Sequence, residues 1–213
     1  MNIIRQIQFM NTIPLFPLGS ALFPDGRLPL QIFEVRYLDM INKCIANGTS
    51  FGVVALTSGN EVRRPGQVET FVSVGTLAHI NEWSAPVQGL LRISCSGTTR
   101  FRVTSKEQLK HGLWMAQVEP LEKDQVVAVP EELQNTVTAL MNLLASLKNH
   151  SIPESDIPVA SPYRLDDCGW VANRWSEMLP MSVEQKQNLL ALDNPVLRLE
   201  LVQDLLGERG LLH

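Results

Sequence analysis

The chain has little of what marks most enzymes and membrane proteins. Its 213 residues contain no Gly-Lys dipeptide. The GxxxxGK[ST] loop, whose backbone N–H groups and lysine hold nucleotide phosphates, is therefore missing, and P-loop ATPase chemistry is excluded. Nothing approaches the ~18 consecutive apolar residues of a membrane-crossing helix. The first residues, Met1 to Met10, lack the unbroken apolar stretch and small-residue cleavage site of a secretory signal, so a cytoplasmic protein is expected. Cys44, Cys95 and Cys168 lie far apart, in no CxxC pair and with no histidine at ligand spacing, which argues against a disulfide framework or a zinc site. His79, His111 and His150 are scattered, and there is no HExxH. No metal and no cofactor are expected.

What is present is an ordinary soluble composition with two unlike halves. Hydrophobic residues make up 45%, enough to bury a real core. Split after Pro120, the net charge of −4 divides into +3 and −7. A half at +3 falls short of the strongly basic footprint of a protein that neutralises many phosphates.

From Thr12 to Leu121 the apolar period is mostly two, with Gly and Pro marking turns, which predicts a β-rich half. The stretch Ile13-Pro14-Leu15-Phe16-Pro17-Leu18, then Leu22-Phe23-Pro24, then Leu28-Pro29-Leu30-Gln31-Ile32, is apolar but broken by proline. Each proline lacks the N–H of a central ladder, so edge or bulged strands are predicted there. Phe51 to Leu56 suits a strand buried on both faces. Ser84 to Gly89 reads as a hairpin tip, and Leu91, Ile93 and Cys95 share one strand face before a predicted turn at Ser96-Gly97. Trp114 to Val118 reads as the last strand. One helix interrupts this half, with Leu38, Ile41 and Ile45 at helical spacing and Asn47-Gly48 as its stop; it is expected to plug one end of a barrel.

After Gln125 the period changes to 3.6. Leu133, Val137, Leu140, Met141, Leu144 and Leu147 form one wide stripe after Pro130. Asn149 to Pro162 reads as a long loop. A second helix is predicted from Cys168 to Leu179 with Asp166 or Asp167 as cap. Ser182 with Gln185 forms a capping box opening a third, and Asn194-Pro195 opens a fourth, closed by Gly207. The expected fold is α+β: a β-barrel domain over 1–125 with one inserted helix, then a four-helix bundle over 126–213.

The opening proline-broken motif, continuing through Phe33-Glu34-Val35-Arg36-Tyr37, resembles the start of the N-terminal substrate-recognition domain of Lon proteases, a PUA-like module. Phe51-Gly52-Val53-Val54, Val74 to Ile80 and Gly97-Thr98-Thr99-Arg100-Phe101 are similar to further strands of that family. Asp167 to Trp170, Leu179 to Ser182 and Lys186 to Leu190 resemble the helical end of its stand-alone members. The resemblance implies a PUA-like barrel whose signature residues, Pro17, Pro24, Pro29, Glu34, Arg36, Tyr37, Gly75 and Gly97, are structural. It also implies a non-enzymatic module, binding unfolded or partly folded polypeptide and working with a separate protease or motor.

The candidate contact residues are Trp83, beside the hairpin tip, with Arg63, Arg64, Arg100 and Arg102, which with Arg92 could form a basic stripe, since alternate strand residues share a face. An RNA-binding PUA-like module is the alternative partner reading. Glu34 is read as a helix cap or ion-pair partner, for which Arg100 is one candidate. Gly48-Thr49-Ser50-Phe51-Gly52 satisfies GxSxG, but the hydrolase elbow needs a strand before the serine and a helix after it. Here the predicted order is reversed, so a serine hydrolase built on Ser50 is the weakest reading, and no catalytic residue is assigned.

Overall fold

The computed structural model describes residues 11–62, 69–149 and 158–212. Arg63, Arg64, His150 and most of the long loop anticipated between Asn149 and Pro162 lie outside the described residues.

Six strands precede the helical half: β1 Asn11–Leu18, β2 Arg27–Ile32, β3 Phe51–Ser58, β4 Thr70–Val87, β5 Leu90–Gln108 and β6 Trp114–Pro120. Their order is β2-β5-β4-β3-β1-β6, and β6 also pairs with β5. That extra pairing closes β5, β4, β3, β1 and β6 into a barrel and leaves β2 as a side strand on β5. The long β5 serves two partners in turn, β2 along Leu91–Ser96 and β6 along Phe101–Gln108.

The prolines sit where the ladder is one-sided. In β1, Pro14 lies opposite Met115 of β6, before the β3 pairing begins at Leu15; Pro17 lies opposite Val54 of β3, after the β6 pairing ends at Leu15. Each missing N–H thus falls where the strand has one neighbour only. Pro29 is in β2, whose single partner is β5.

The predicted turn at Ser96-Gly97 does not exist, because β5 runs unbroken from Leu90 to Gln108. Gly97 serves a close approach instead. Its N–H donates to Gly26 O at 2.9 Å and its carbonyl accepts from Asp25 N at 2.8 Å, and a Cβ there would stand 2.1 Å from Phe23 O. Gly75 meets the same kind of need inside the barrel, where a Cβ would fall 2.7 Å from the Phe101 ring.

Helix α1, Val35–Asn47, follows Glu34 at the N-cap and stops at Gly48, whose φ of +63° is the left-handed turn that glycine adopts at least cost. Its buried face, Tyr37, Met40, Ile41 and Cys44, packs with Ile32, Leu91, Ile93 and Cys95. Phe16 stacks on Tyr37 with ring centroids 4.0 Å apart.

The helical half comprises a 3-10 turn Glu131–Leu133, α2 Gln134–Asn149, α3 Cys168–Met178, α4 Val183–Ala191 and α5 Pro195–Glu208. Asp167 caps α3 by accepting from Gly169 N and Trp170 N, Ser182 and Gln185 form the reciprocal capping box of α4, and Asn194 caps α5. Two expectations shift. Met141 is 46% exposed, so the α2 stripe narrows to Leu133, Val137, Leu140 and Leu144, with Leu147 half-buried. Gly207 lies within α5, and the positive φ that follows the helix belongs to Gly210.

The core of the helical half takes in Phe23 and Val74 from the β half, as well as Trp170 and Trp175. Among the described residues no helix is long and apolar enough to cross a membrane.

Candidate functional site

Three buried arginines hold the helices against the barrel. Arg100 points outward from β5, yet it is only 4% exposed because the helical half covers that face. Its Nη1 donates to Leu190 O at 2.8 Å and Leu192 O at 2.9 Å, and its Nη2 meets Asp124 at 3.1 Å and Asp193 at 3.2 Å. Arg198 of α5, 1% exposed, donates to both oxygens of the same Asp124, to Asn173 Oδ1 and to Leu189 O. Arg174 of α3 donates to Pro24 O and Asp25 O and pairs with Glu177 at 3.2 Å. Burial draws the Arg100 and Arg174 guanidinium pKa values down, against the pull of Asp124 on the first and of Glu177 on the second.

Above this seam lies a groove of about 520 Å³, with Leu18, Ala21, Leu22, Leu28 and Val53 on the barrel side and Leu143, Leu147 and Met178 on the helical side. Pro158, Ser20, Arg27 and Glu177 complete it. Burial pushes the Glu177 carboxyl up to about 7, although Arg174, the Phe23 N–H and Lys186 all favour its charge. A second cavity of about 420 Å³, lined mostly by polar and charged residues, abuts the arginine cluster at Arg100, Asp124 and Asn173.

Trp83 stands apart from both. It is 55% exposed on β4 near the hairpin tip and borders two small clefts, one against the end of α1 and one beside Arg92.

The proposed basic stripe does not assemble. Arg92 and Arg102 are exposed, but Arg100 between them is fully committed to internal acceptors, so it cannot meet a partner as anticipated. Glu34 does not pair with Arg100 either. It occupies the N-cap without a side-chain capping bond and contacts Arg36 Nε at 3.3 Å. Arg36 is buried, meeting Glu69 at 2.9 Å and Gly112 O at 2.9 Å. Ser50 falls between α1 and β3, helix before and strand after, which is the reverse of a hydrolase elbow.

Leu18, Leu22, Leu28 and Val53 of the groove fall within the apolar motif stretches, but nothing in those stretches marks them as cleft-lining. Glu177 carries no distinguishing signal either, since Asn173, Arg174 and Ser176 are polar neighbours on the same stretch of α3. Arg174 and Arg198 were equally hidden, because periodicity assigns faces and does not reveal which cations a packed seam will accept.

A barrel closed by β6, one inserted helix and a helical half is a fold shared with solved Lon N-terminal domains. The Lon N-terminal domain protein from Xanthomonas campestris superposes with a TM-score of 0.71 at 30% identity, covering 91% of this chain and 98% of that one. The N-terminal domain of Mycobacterium avium complex Lon protease shares the fold at a TM-score of 0.60 and 16% identity, covering 91% and 97%. Residues 12–208 match the model of the ATP-dependent protease La (LON) substrate-binding domain, and the chain belongs to that family. It is 25% identical to the Lon protease of Haemophilus influenzae over 193 residues, and 24% identical to that of Desulfosudis oleivorans over 198. Those stretches are 89% and 90% of this chain but 23% of each relative, so it spans under a quarter of their length.

Proposed function

We propose that this chain is a non-catalytic recognition module that binds segments of unfolded or partly folded polypeptide, in a cytoplasmic setting and in cooperation with a separate protease or motor. The observation that carries this reading is the seam groove, about 520 Å³ and walled mostly by aliphatic side chains from both halves. Unfolded chains differ from folded ones in presenting such apolar side chains to solvent. Family membership supports the same reading, since the matching model describes a substrate-binding domain. The barrel, 1–125, and the helices, 126–213, act in this proposal as two walls of one site. RNA is the less favoured partner, because among the described residues withdrawal of Arg100 leaves only Arg92 and Arg102 of the anticipated stripe exposed.

The test is fluorescence anisotropy with labelled, reduced and carboxymethylated lactalbumin. Binding is expected, with Leu147→Asp on the groove wall weakening it at least about tenfold, as placing a charge in an apolar contact costs more than ~1.4 kcal/mol. No binding of the wild-type chain up to ~1 mM, the weak limit of specific association, overturns the reading. RNA binding that weakens steeply with salt would replace it.

A further inference from the structure

The β3–β4 ladder ends at the pair Phe51 and Ala78, while β4 continues to Val87. From His79 onward β4 is paired only with β5, and β5 is covered on its far side by β2 along Leu91–Ser96. The arm is therefore a three-stranded ribbon with two outer edges. One of them, β2, is blunted by Pro29 in its middle, a common guard against pairing with another chain. The other carries Pro86 only near its tip, beyond Ser84. Register shifts fall between Ile80 and Glu82 and between Ser84 and Val87, and the stretch Glu82-Trp83-Ser84 between them stays in regular register without proline or lysine.

We infer that this outer edge of β4, beside Trp83, receives an extended polypeptide segment by strand addition. The inference deepens the recognition reading above and rests on it. An edge offers alternating N–H and C=O groups, and the occupant that matches them is another extended backbone. The position is continuous with an interface the fold already builds, because an incoming strand would prolong the line of β3 against the same β4 edge. Space is present on that line: a cleft of about 180 Å³ lies between the α1 end at Gly48 and Thr49 and the strand at Ile80 to Trp83. A second, of about 250 Å³, lies across Trp83 beside Arg92. Successive side chains of a strand point to opposite faces, so alternate residues of the incoming segment would turn toward the cleft at the α1 end, beside the exposed indole. Backbone hydrogen bonds read no sequence, so this edge samples any unfolded chain, and only the clefts add preference.

The experiment uses the full chain and a fluorescein-labelled, capped eight-residue peptide of alternating valine and threonine with a lysine at each end. A second peptide is N-methylated at alternate residues. Trp83 is the exposed tryptophan, Trp170 and Trp175 being buried and Trp114 half-buried, so its emission reports directly on this edge. The expected result is a blue shift on binding and slowed hydrogen exchange at the Glu82–Ala85 amides. Trp83→Ala should lose about tenfold in affinity, as for an aromatic anchor, and the N-methylated peptide should lose at least as much. If lactalbumin binds but neither N-methylation nor Trp83→Ala alters peptide binding, the edge inference falls and the groove reading stands. Self-association of the chain that Trp83→Ala abolishes, without peptide binding, assigns the edge to a second copy and also overturns it. Failure of both probes removes both readings.

Discussion

The seam between barrel and helices and the free hairpin arm are built on opposite terms. At the seam, Arg100, Arg174 and Arg198 are buried to the last few per cent of their surface and spend their donors on carbonyls and carboxylates of both halves. In the arm, His79 to Val87 is exposed or half-exposed throughout, and Trp83 has no aromatic or ionic partner among the described residues. The recognisable motifs map onto the first region: Gly97 admits the Phe23–Gly26 loop, and Arg100, three residues on, clamps Leu190 and Leu192. Gly97 and Arg100 thus serve the joining of the two parts, whereas the arm beyond Ile80, with Trp83, lies outside the motif stretches.

The largest effect that sharpens this contrast is expected at Asp124. It is the carboxylate shared by Arg100 and Arg198, and Asp124→Ala would leave two buried guanidinium groups short of their countercharge. Loss of one partner from a buried ion pair costs about 3–5 kcal/mol, read as a fall in the urea midpoint. Asp193, 80% exposed on the same Arg100, should by contrast matter little when replaced by alanine, within ~1 kcal/mol. Trp83→Ala in the arm should leave the midpoint nearly unmoved, within ~0.5 kcal/mol. Equal losses at Asp124 and Trp83 would show that the arm holds the fold as firmly as the seam.

Next comes Gly97→Ala. The added methyl would meet a backbone carbonyl at 2.1 Å, and Phe23 O cannot swing aside as a side-chain tip can. The loop must move, straining the Gly97 N–H bond to Gly26 O and the Asp25 N–H bond to Gly97 O. Overpacking of this kind costs about 1–3 kcal/mol, and thermal unfolding measures it.

These two residues also show what could be read in advance. Strand positions, caps and the 3.6-residue stripes were legible because they depend on local patterns: Asp167, Ser182 with Gln185, and Asn194 with Pro195 each sit where local hydrogen-bonding chemistry places them. Gly97 was legible as a signature but misread as a turn, since the reason for it is a loop more than 70 residues away in sequence from the position it contacts. Arg100 was misread as a surface cation for the same kind of reason. A strand pattern tells which residues share a face, but a barrel's outer face can be covered by elements from far along the chain, and alternation carries no record of that cover. The groove was invisible in turn because aliphatic side chains that line a cleft and those that fill a core have the same composition.

The pH dependence of the Glu177 carboxyl separates groove from arm most finely. Glu177 lines the groove, with Arg174 and Lys186 as facing cations, Asp25 as the nearby anion and the Phe23 N–H 3.3 Å away. Its carboxyl titrates at about 7 in the folded chain, against an ordinary value of 4.5, so between those pH values the native state binds more protons than the unfolded one. Stability from this group is therefore greatest below pH 4.5 and declines as pH rises to 7, by about 3 kcal/mol. Glu177→Gln should remove that slope, seen as a difference between wild-type and variant unfolding free energies that grows from pH 5 to pH 7 and is flat above. Polypeptide lying in the groove would cover the carboxyl further and raise it again, so lactalbumin binding should tighten from pH 8 to pH 6 in the wild type and not in Glu177→Gln. The peptide at the β4 edge, remote from Glu177, should show no such linkage; a shared pH dependence would mean that groove and arm are one surface to the ligand.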